Sequence, residues 1–246
     1  MKRLENKIAF VTGGSRGMGA AISKRLAAEG AHVVFTYSKS KAKAEAVAAE
    51  INVNGGQAQA VQADSIDPKA LTAAIQQTIA ELGPIDILVN NAGIYIGKEF
   101  KSHTLEDYEE IMAINVRAVY VASLAVVPHM SNHGRVITIG SNMAENSVSP
   151  QTTLYTMSKA ALAGFTRGLA RDLGAKGITV NLVQPGPINT DMNPSDSDLA
   201  DFLRSRMALS EYGTGDDVAG LVAFLASTEG KYITGTAITI DGGLNA

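Results

Sequence analysis

Thr12-Gly13-Gly14-Ser15-Arg16-Gly17-Met18-Gly19 stands directly behind an apolar run, Ile8–Val11, and directly ahead of an alanine-rich segment, Ala20–Glu29. A β-branched run, a glycine turn and a helical pattern, in that order, describe a strand feeding a helix through a tight corner. Glycines at such a corner let backbone N–H groups approach a pyrophosphate at the positive end of the helix. The spacing is G-x-x-x-G-x-G, through Gly13, Gly17 and Gly19, and not the G-x-G-x-x-G of many dinucleotide-binding folds. The turn alone also suits a purely structural corner. Its place between the first strand and the first helix points to Gly13, Ser15, Arg16, Gly17, Met18 and Gly19 as phosphate contacts.

The same alternation continues along the chain. Val33–Thr36, Ala58–Val61, Ile85–Val89, Arg135–Ile139, Ile178–Val183 and Ala237–Ile240 read as strands. Lys41–Asn52, Lys69–Leu82, Asp107–Met130, Tyr155–Leu173 and Asp216–Ser227 read as helices between them. Strands separated by helical patterns imply βαβ units, hence an α/β doubly wound parallel sheet of about seven strands with helices on both faces. Gly30 marks the end of the first helix, and Pro68 behind Asp67 marks the start of the third. The chain reads as one domain, 1–246, with one insert that breaks the rhythm. That insert, Pro187 to Gly215, carries Pro194 and four aspartates, and is expected to be an irregular substrate lid.

Composition excludes several alternatives. With 46% hydrophobic and 18% charged residues the chain is globular, not disordered. A net charge of −3 argues against a nucleic-acid surface. The absence of cysteine removes disulfides, thiolate metal sites and thiol catalysis together. His32, His103, His129 and His133 are scattered, so no metal site is expected. The N-terminus shows no signal-peptide pattern, and Ala118–Val127 is too short an apolar stretch to cross a bilayer. A cytoplasmic location and no membrane partner are expected.

In folds that bind NAD, an acid about twenty residues after the glycine turn takes the ribose hydroxyls. Here strand two ends Phe35-Thr36-Tyr37-Ser38-Lys39, without an acid. Arg16, Lys39 and the donor Ser38, beside Tyr37, suit a 2′-phosphate instead, which favours NADP(H). Asp64-Ser65 and Asn90-Asn91-Ala92-Gly93 follow strands three and four, at the carboxyl ends where parallel sheets bind ligands. Taken singly, each also fits a turn. Tyr155 and Lys159 are i and i+4 on one helix, so they share a face. An ammonium there is expected to lower the phenol's pKa and fit Tyr155 for general acid–base work. Ser141, at the end of strand five, is placed to hydrogen-bond a carbonyl oxygen as charge develops. Asn115 is placed to complete a proton relay through water.

These residues together resemble the short-chain dehydrogenase/reductase family, from Lys7 to Gly243. The motifs are the Thr12–Gly19 turn, Asn90–Gly93, Asn115, Ser141, Tyr155 with Lys159, Asn181-Leu182-Val183-Gln184-Pro185-Gly186 and Asp241-Gly242-Gly243. The resemblance implies a single-domain Rossmann fold, commonly assembled as a homotetramer, with Asn115, Ser141, Tyr155 and Lys159 as the catalytic four. It further implies that Lys159 holds the nicotinamide ribose, and that Pro185, Gly186, Ile188 and Thr190 support the nicotinamide. Within the family the chain looks most like 3-oxoacyl-carrier-protein reductases and related bacterial ketone reductases. Those carrier-protein enzymes tend to have a basic cluster before strand five. Here His129-Met130-Ser131-Asn132-His133-Gly134-Arg135 holds one firm charge, which disfavours a carrier-protein partner and leaves a small ketone or a 3-oxoacyl compound as the expected substrate of an NADPH-dependent reduction to the alcohol. The alternative reading is a non-catalytic nucleotide-binding regulator on the same fold.

Overall fold

The computed structural model describes residues 2–246. Seven strands form a single parallel sheet in the order β3-β2-β1-β4-β5-β6-β7. They are β1 (Ile8–Val11), β2 (His32–Tyr37), β3 (Gln57–Gln62), β4 (Ile87–Asn90), β5 (Arg135–Ile139), β6 (Thr179–Pro185) and β7 (Ala237–Ile240). The helices are α1 (Gly17–Ala28), α2 (Lys41–Val53), α3 (Pro68–Leu82), α4 (Leu105–Met112), α5 (Ala118–Val126), α6 (Thr153–Leu173), α7 (Asp198–Arg204) and α8 (Gly215–Ala226).

The two faces of the sheet follow from the period-2 geometry of a strand. Ala9 and Val11 point to the face covered by α1 and α8, where Ile22, Leu26, Val218 and Val222 are buried with them. Phe10 points the other way, packing with Leu88, Val136, Leu71, Ile75, Ala118 and Ala122 beneath α3 and α5. Each fully buried Phe, Ile, Leu or Val contributes about 1.5–3 kcal/mol over an exposed one, so both faces are strongly specified. Gly30 continues past α1 at φ +105°, and Asp67 accepts from the backbone N–H groups of Lys69 and Ala70 at the head of α3. Both helix boundaries anticipated from the sequence are therefore built as read.

Two stretches depart from the sequence reading. The Asp107–Met130 helix is longer and not uniform. It runs from Leu105 to His129 as 25 residues, with a π-helical turn at Ala113–Arg117. By length and composition this helix is long and apolar enough to cross a membrane, unlike the shorter run considered from the sequence. Here Ile111, Ala118, Ala122 and Val126 are buried in the protein core. The second departure is the 187–215 insert, which is not wholly irregular. Ser197 caps α7 by accepting from Ala200 N–H, and Leu203 and Met207 pack with Leu244. The pattern was missed because α7 has only 7 residues, too few for a helical period to stand out. Asn189 N–H donates to Gly213 O at 2.9 Å, and Gly213 N–H to Pro187 O at 3.0 Å. The insert is thus a closed excursion with pinned ends.

The strand order reverses direction between β1 and β4, and the crevice outside the carboxyl ends of these strands is where open α/β sheets bind ligands.

Candidate active site and dinucleotide cleft

The corner after β1 is held by hydrogen bonds from both neighbouring strands. Gly13 N–H donates to Thr36 Oγ1 at 3.1 Å, and Gly14 N–H to Thr36 O at 2.9 Å. From the other side, Asn91 N–H and Ala92 N–H each donate to Thr12 Oγ1 at 3.0 Å. Asn91 Nδ2 donates to Thr12 O at 2.9 Å and Gly13 O at 3.0 Å. Gly13 and Gly17 take φ of +69° and +51°, the left-handed region that suits glycine. A side chain at Gly19 would collide with Gly13 O and Asn91 Nδ2. Arg16 caps α1 with backbone only, and the first turn of α1 holds no acid. Its N–H groups are therefore left for an outside anion.

Around this corner opens a cleft lined by Gly13, Ser15, Arg16, Gly17, Met18 and Gly19, as the sequence suggested. Tyr37, Ser38, Asp64, Ser65, Asn91, Ala92, Gly93 and Thr190 line it as well. Lys39 is exposed and does not line it, and neither do Pro185, Gly186 or Ile188. Pro185 and Ile188 are buried, and Gly186 N–H donates to Ile240 O, so this stretch braces the end of the sheet behind Thr190. Thr36, Ala63, Ile94, Ile114, Asp191 and Met192 line the cleft without having been anticipated. Thr36 and Ala63 were legible: they sit at carboxyl ends of strands, the rule already applied to Asp64. Nothing in the local sequence marks Ile94, Ile114 or Met192.

Asn115, Ser141, Tyr155 and Lys159 do not line this cleft; Asn115 and Lys159 lie directly behind Gly93. The π turn rotates Asn115 inward, where it is 1% exposed. Its Oδ1 accepts from Ile94 N–H at 2.9 Å, while Nδ2 donates to Ile94 O at 3.0 Å and to Ser158 Oγ at 3.0 Å. Asn115 therefore clamps the loop after β4 to α6. π turns recur at functional sites because they re-aim one side chain without ending the helix. A Cβ at Gly93 would lie 3.3 Å from Asn115 Oδ1 and 3.4 Å from Lys159 Nζ. The lack of one leaves the cleft open to both.

Lys159 is 5% exposed and donates from Nζ to Ile139 O at 3.0 Å. Its Nζ lies 5.7 Å from the centre of the Tyr155 ring. Tyr95 meets the same ring edge-on at 5.1 Å. Here the sequence-based expectation is corrected. Burial raises the Tyr155 pKa, with the Ser141 hydroxyl opposing it and Tyr95 adding to it; no lowering by Lys159 enters. Burial also lowers Lys159, to about 8. Both groups are pushed toward their uncharged forms, because a desolvated charge is costly. The phenol is held in its protonated form.

The one firm charge of the segment before β5 is turned inward. Arg135 is 6% exposed, with Nη1 donating to His133 O and Gly134 O and Nη2 to Ser227 O. Its charge faces the protein interior at the amino end of β5, opposite the carboxyl ends that form the cleft, so it presents nothing to an acidic partner. No cluster of His, Cys, Asp or Glu able to hold a metal occurs among the described residues.

Residues 13–245 match the family model described as enoyl-(acyl carrier protein) reductase. The chain belongs to the short-chain dehydrogenase/reductase family, and its seven-stranded sheet is that family's Rossmann fold. Among its relatives is the cyclic-di-GMP-binding biofilm dispersal mediator protein of Escherichia coli (strain K12), 41% identical over 246 residues, covering 100% of both chains. The 3-oxoacyl-[acyl-carrier-protein] reductase FabG of the same organism is 39% identical over 244 residues, covering 98% of each. Among solved structures, a short chain dehydrogenase from Burkholderia cenocepacia J2315 in complex with NADP is 53% identical, with a TM-score of 0.97 over 99% of this chain and 100% of that one.

The opposed shifts of Tyr155 and Lys159 predict a pH signature. Because the folded pKa of Lys159 lies below its unfolded value, the unfolded chain binds more protons between about pH 8 and 10.5. The destabilisation from burying this ammonium is therefore full below that window and fades as pH rises through it. Lys159→Met should raise the melting temperature at pH 7, and the difference from wild type should shrink toward pH 10. Calorimetric scans at pH 7, 8.5 and 10 check this; a constant difference would remove Lys159 as the cause.

Proposed function

We propose that the protein is an NADP(H)-dependent reductase that converts a ketone to an alcohol, reversibly, with Tyr155 as general acid and base. The observation that carries this reading is the neutral, partly buried Tyr155 beside Ser141, with the buried Lys159 next to Gly93 of the glycine-walled cleft. The cleft suits a dinucleotide: uncapped N–H groups of α1 for the pyrophosphate, Arg16 and Ser38 for a 2′-phosphate, Asp64, Ser65 and Asn91 near the adenosine. The relative from Burkholderia cenocepacia, crystallised with NADP, supports the same choice.

A bound nicotinamide dinucleotide supplies hydride transfer. The chain's own residues do the rest. Ser141 Oγ, which already accepts from Met143 N–H at 3.2 Å, donates its proton to the substrate carbonyl and places the oxygen next to Tyr155. Tyr155 gives its phenolic proton to that oxygen as negative charge develops. Lys159, whose pKa burial lowers to about 8, is still mostly an ammonium at pH 7 and stabilises the phenolate left behind. Asn115 keeps the loop after β4 at its distance from α6 and so fixes the entrance to the site.

Tyr155→Phe keeps the ring against Tyr95 and removes only the proton. Its kcat with ketones should fall by about 10²–10⁴-fold, the usual contribution of general acid catalysis, while its Kd for NADPH stays near wild type. A panel of small ketones and 3-oxoacyl thioesters, free and carrier-bound, defines the substrate class in the same assay. FabG, which the chain resembles, is named for a carrier-bound substrate. The buried Arg135 and the aspartates Asp196 and Asp198 on the 187–215 insert favour small or free substrates instead. We propose this insert as the lid that closes over them.

The regulator reading has one observation in its favour, the name of the Escherichia coli relative that binds cyclic-di-GMP. Binding of a dinucleotide by wild type with no turnover of any ketone on the panel would favour that reading over ours.

Cofactor choice should favour NADPH, since no acid closes β2. The ratio of kcat/KM for NADPH over NADH should exceed one, and Ser38→Asp should invert it; an NADH preference in wild type would refute the assignment. Assembly as a homotetramer is supported by the exposed aromatic edge where Tyr120 of α5 meets Phe165 of α6 at 6.4 Å, beside exposed Leu124. Sedimentation velocity should show four chains, and Tyr120→Glu should shift the species to a smaller one.

A further inference from the structure

Asp191 is the one carboxylate of the 187–215 insert that enters the cleft wall. Its Oδ2 lies 3.5 Å from Arg16 Nη1 and 3.4 Å from Lys43 Nζ, so a single oxygen bridges the glycine turn and the first turn of α2. Lys43 and Arg16 hold the Asp191 carboxyl below its usual range, Lys43 foremost. Next to it, Thr190 Cγ2 sits 3.4 Å from where a Cβ on Gly17 would be. The insert therefore begins as a strap laid over the glycine turn and tied by one carboxylate to two cations. Ser38 and Tyr37, the groups that suit a nucleotide 2′-phosphate, line the same cleft as Arg16.

Two anions cannot share these cations at low cost. A phosphate monoester carries about −1.5 to −2 charge at pH 7 and three strong acceptor oxygens, against one charge and one engaged oxygen on Asp191. The existing ion pairs are also easily broken, since all three side chains are more than half exposed, at 57%, 59% and 61%. Exposed pairs of this kind are weak and salt-sensitive.

We propose that Asp191 is an internal competitor for the 2′-phosphate of the cofactor: a 2′-phosphorylated nucleotide displaces it from Arg16 and Lys43 and frees the strap, whereas a nucleotide without that phosphate leaves the strap tied. This rests on the NADP(H) reading and adds a specificity residue to it. Asp191 thereby sets two properties at once. It lowers affinity for the phosphorylated cofactor below what the cations alone would give, and it makes release of the insert depend on the cofactor's phosphate.

The test needs no turnover. Wild type and Asp191→Asn are titrated calorimetrically at low salt with 2′,5′-ADP and with 5′-AMP, which differ only in the phosphate. Asp191→Asn should tighten 2′,5′-ADP by about three- to tenfold, the scale of two exposed ion pairs, leave 5′-AMP unchanged, and lose its advantage at 1 M salt. Trypsin should cut the insert at exposed Arg206 faster when wild type is given 2′,5′-ADP but not 5′-AMP, and fast without ligand in the variant. Weaker 2′,5′-ADP binding by Asp191→Asn would overturn the proposal, because Asp191 would then be orienting the cations. Equal tightening of both ligands would overturn it too, because the strap would be a general cover. A wild-type preference for 2′,5′-ADP that Asp191→Asn leaves unchanged sinks this proposal alone. Equal affinity of wild type for the two ligands sinks the NADP(H) reading and this proposal with it.

Discussion

Thr12 Oγ1 accepts two backbone N–H groups from the loop after β4, while Asn91 Nδ2 returns two bonds to the backbone of the corner after β1. These four bonds close the gap at the place where the strand order reverses and where no further ladder hydrogen bonds are available. Without them the two loops would diverge, and the cleft between them would have no fixed width. Their placement has a second consequence. Because Asn91 fills the space beside Gly19, the corner tolerates no side chain there, and backbone N–H groups become the floor of the cleft. A backbone floor is positive and rigid, which is what a pyrophosphate requires.

The same economy governs the reactive end. Tyr155 and Lys159 were paired in the sequence by their spacing on one helix, and that spacing holds. Their electrostatic relation differs. In a wet site the ammonium would draw the phenol toward its anion; inside the protein, desolvation dominates and drives both toward neutrality. In the proposed reaction, a neutral phenol beside this lysine passes its proton outward and is stabilised once it has done so. Desolvation of the pair thus belongs to the proposed chemistry, and burial of Lys159 destabilises the fold where it remains charged.

The insert after β6 is where local charge and tertiary placement diverge most. Its four aspartates lie close together in the sequence but find different surroundings in the structure. Asp191 is held by Arg16 and Lys43, and Asp201 by Arg204 at 2.7 Å, whose guanidinium also lies 5.0 Å from the Tyr212 ring. Arg206 in turn stacks at 4.9 Å on Phe202. Two of the four aspartates are thus paired within the protein, and the insert's shape is set by pinned ends, a short capped helix and packing of Leu203 and Met207 on Leu244.

From the sequence alone came the parallel α/β fold, most strand and helix positions, the glycine corner, the missing acid after β2 and the Tyr155–Lys159 pair. These are local signals: period-2 and helical spacing, glycine where φ must be positive, residues i and i+4 on one helix. What only the tertiary structure decided are properties created by contact between distant segments. Asn115 faces inward because of a π turn that no residue pattern announces. Arg135, the one firm charge of its segment, is buried and donates to Ser227 O, 92 positions away. Asp191 meets Lys43 across 148 positions. Spacing along a chain fixes which side chains share a helix face or a strand edge, but desolvation and ion pairing depend on what the fold brings alongside them, and that is set by the packing of the whole sheet.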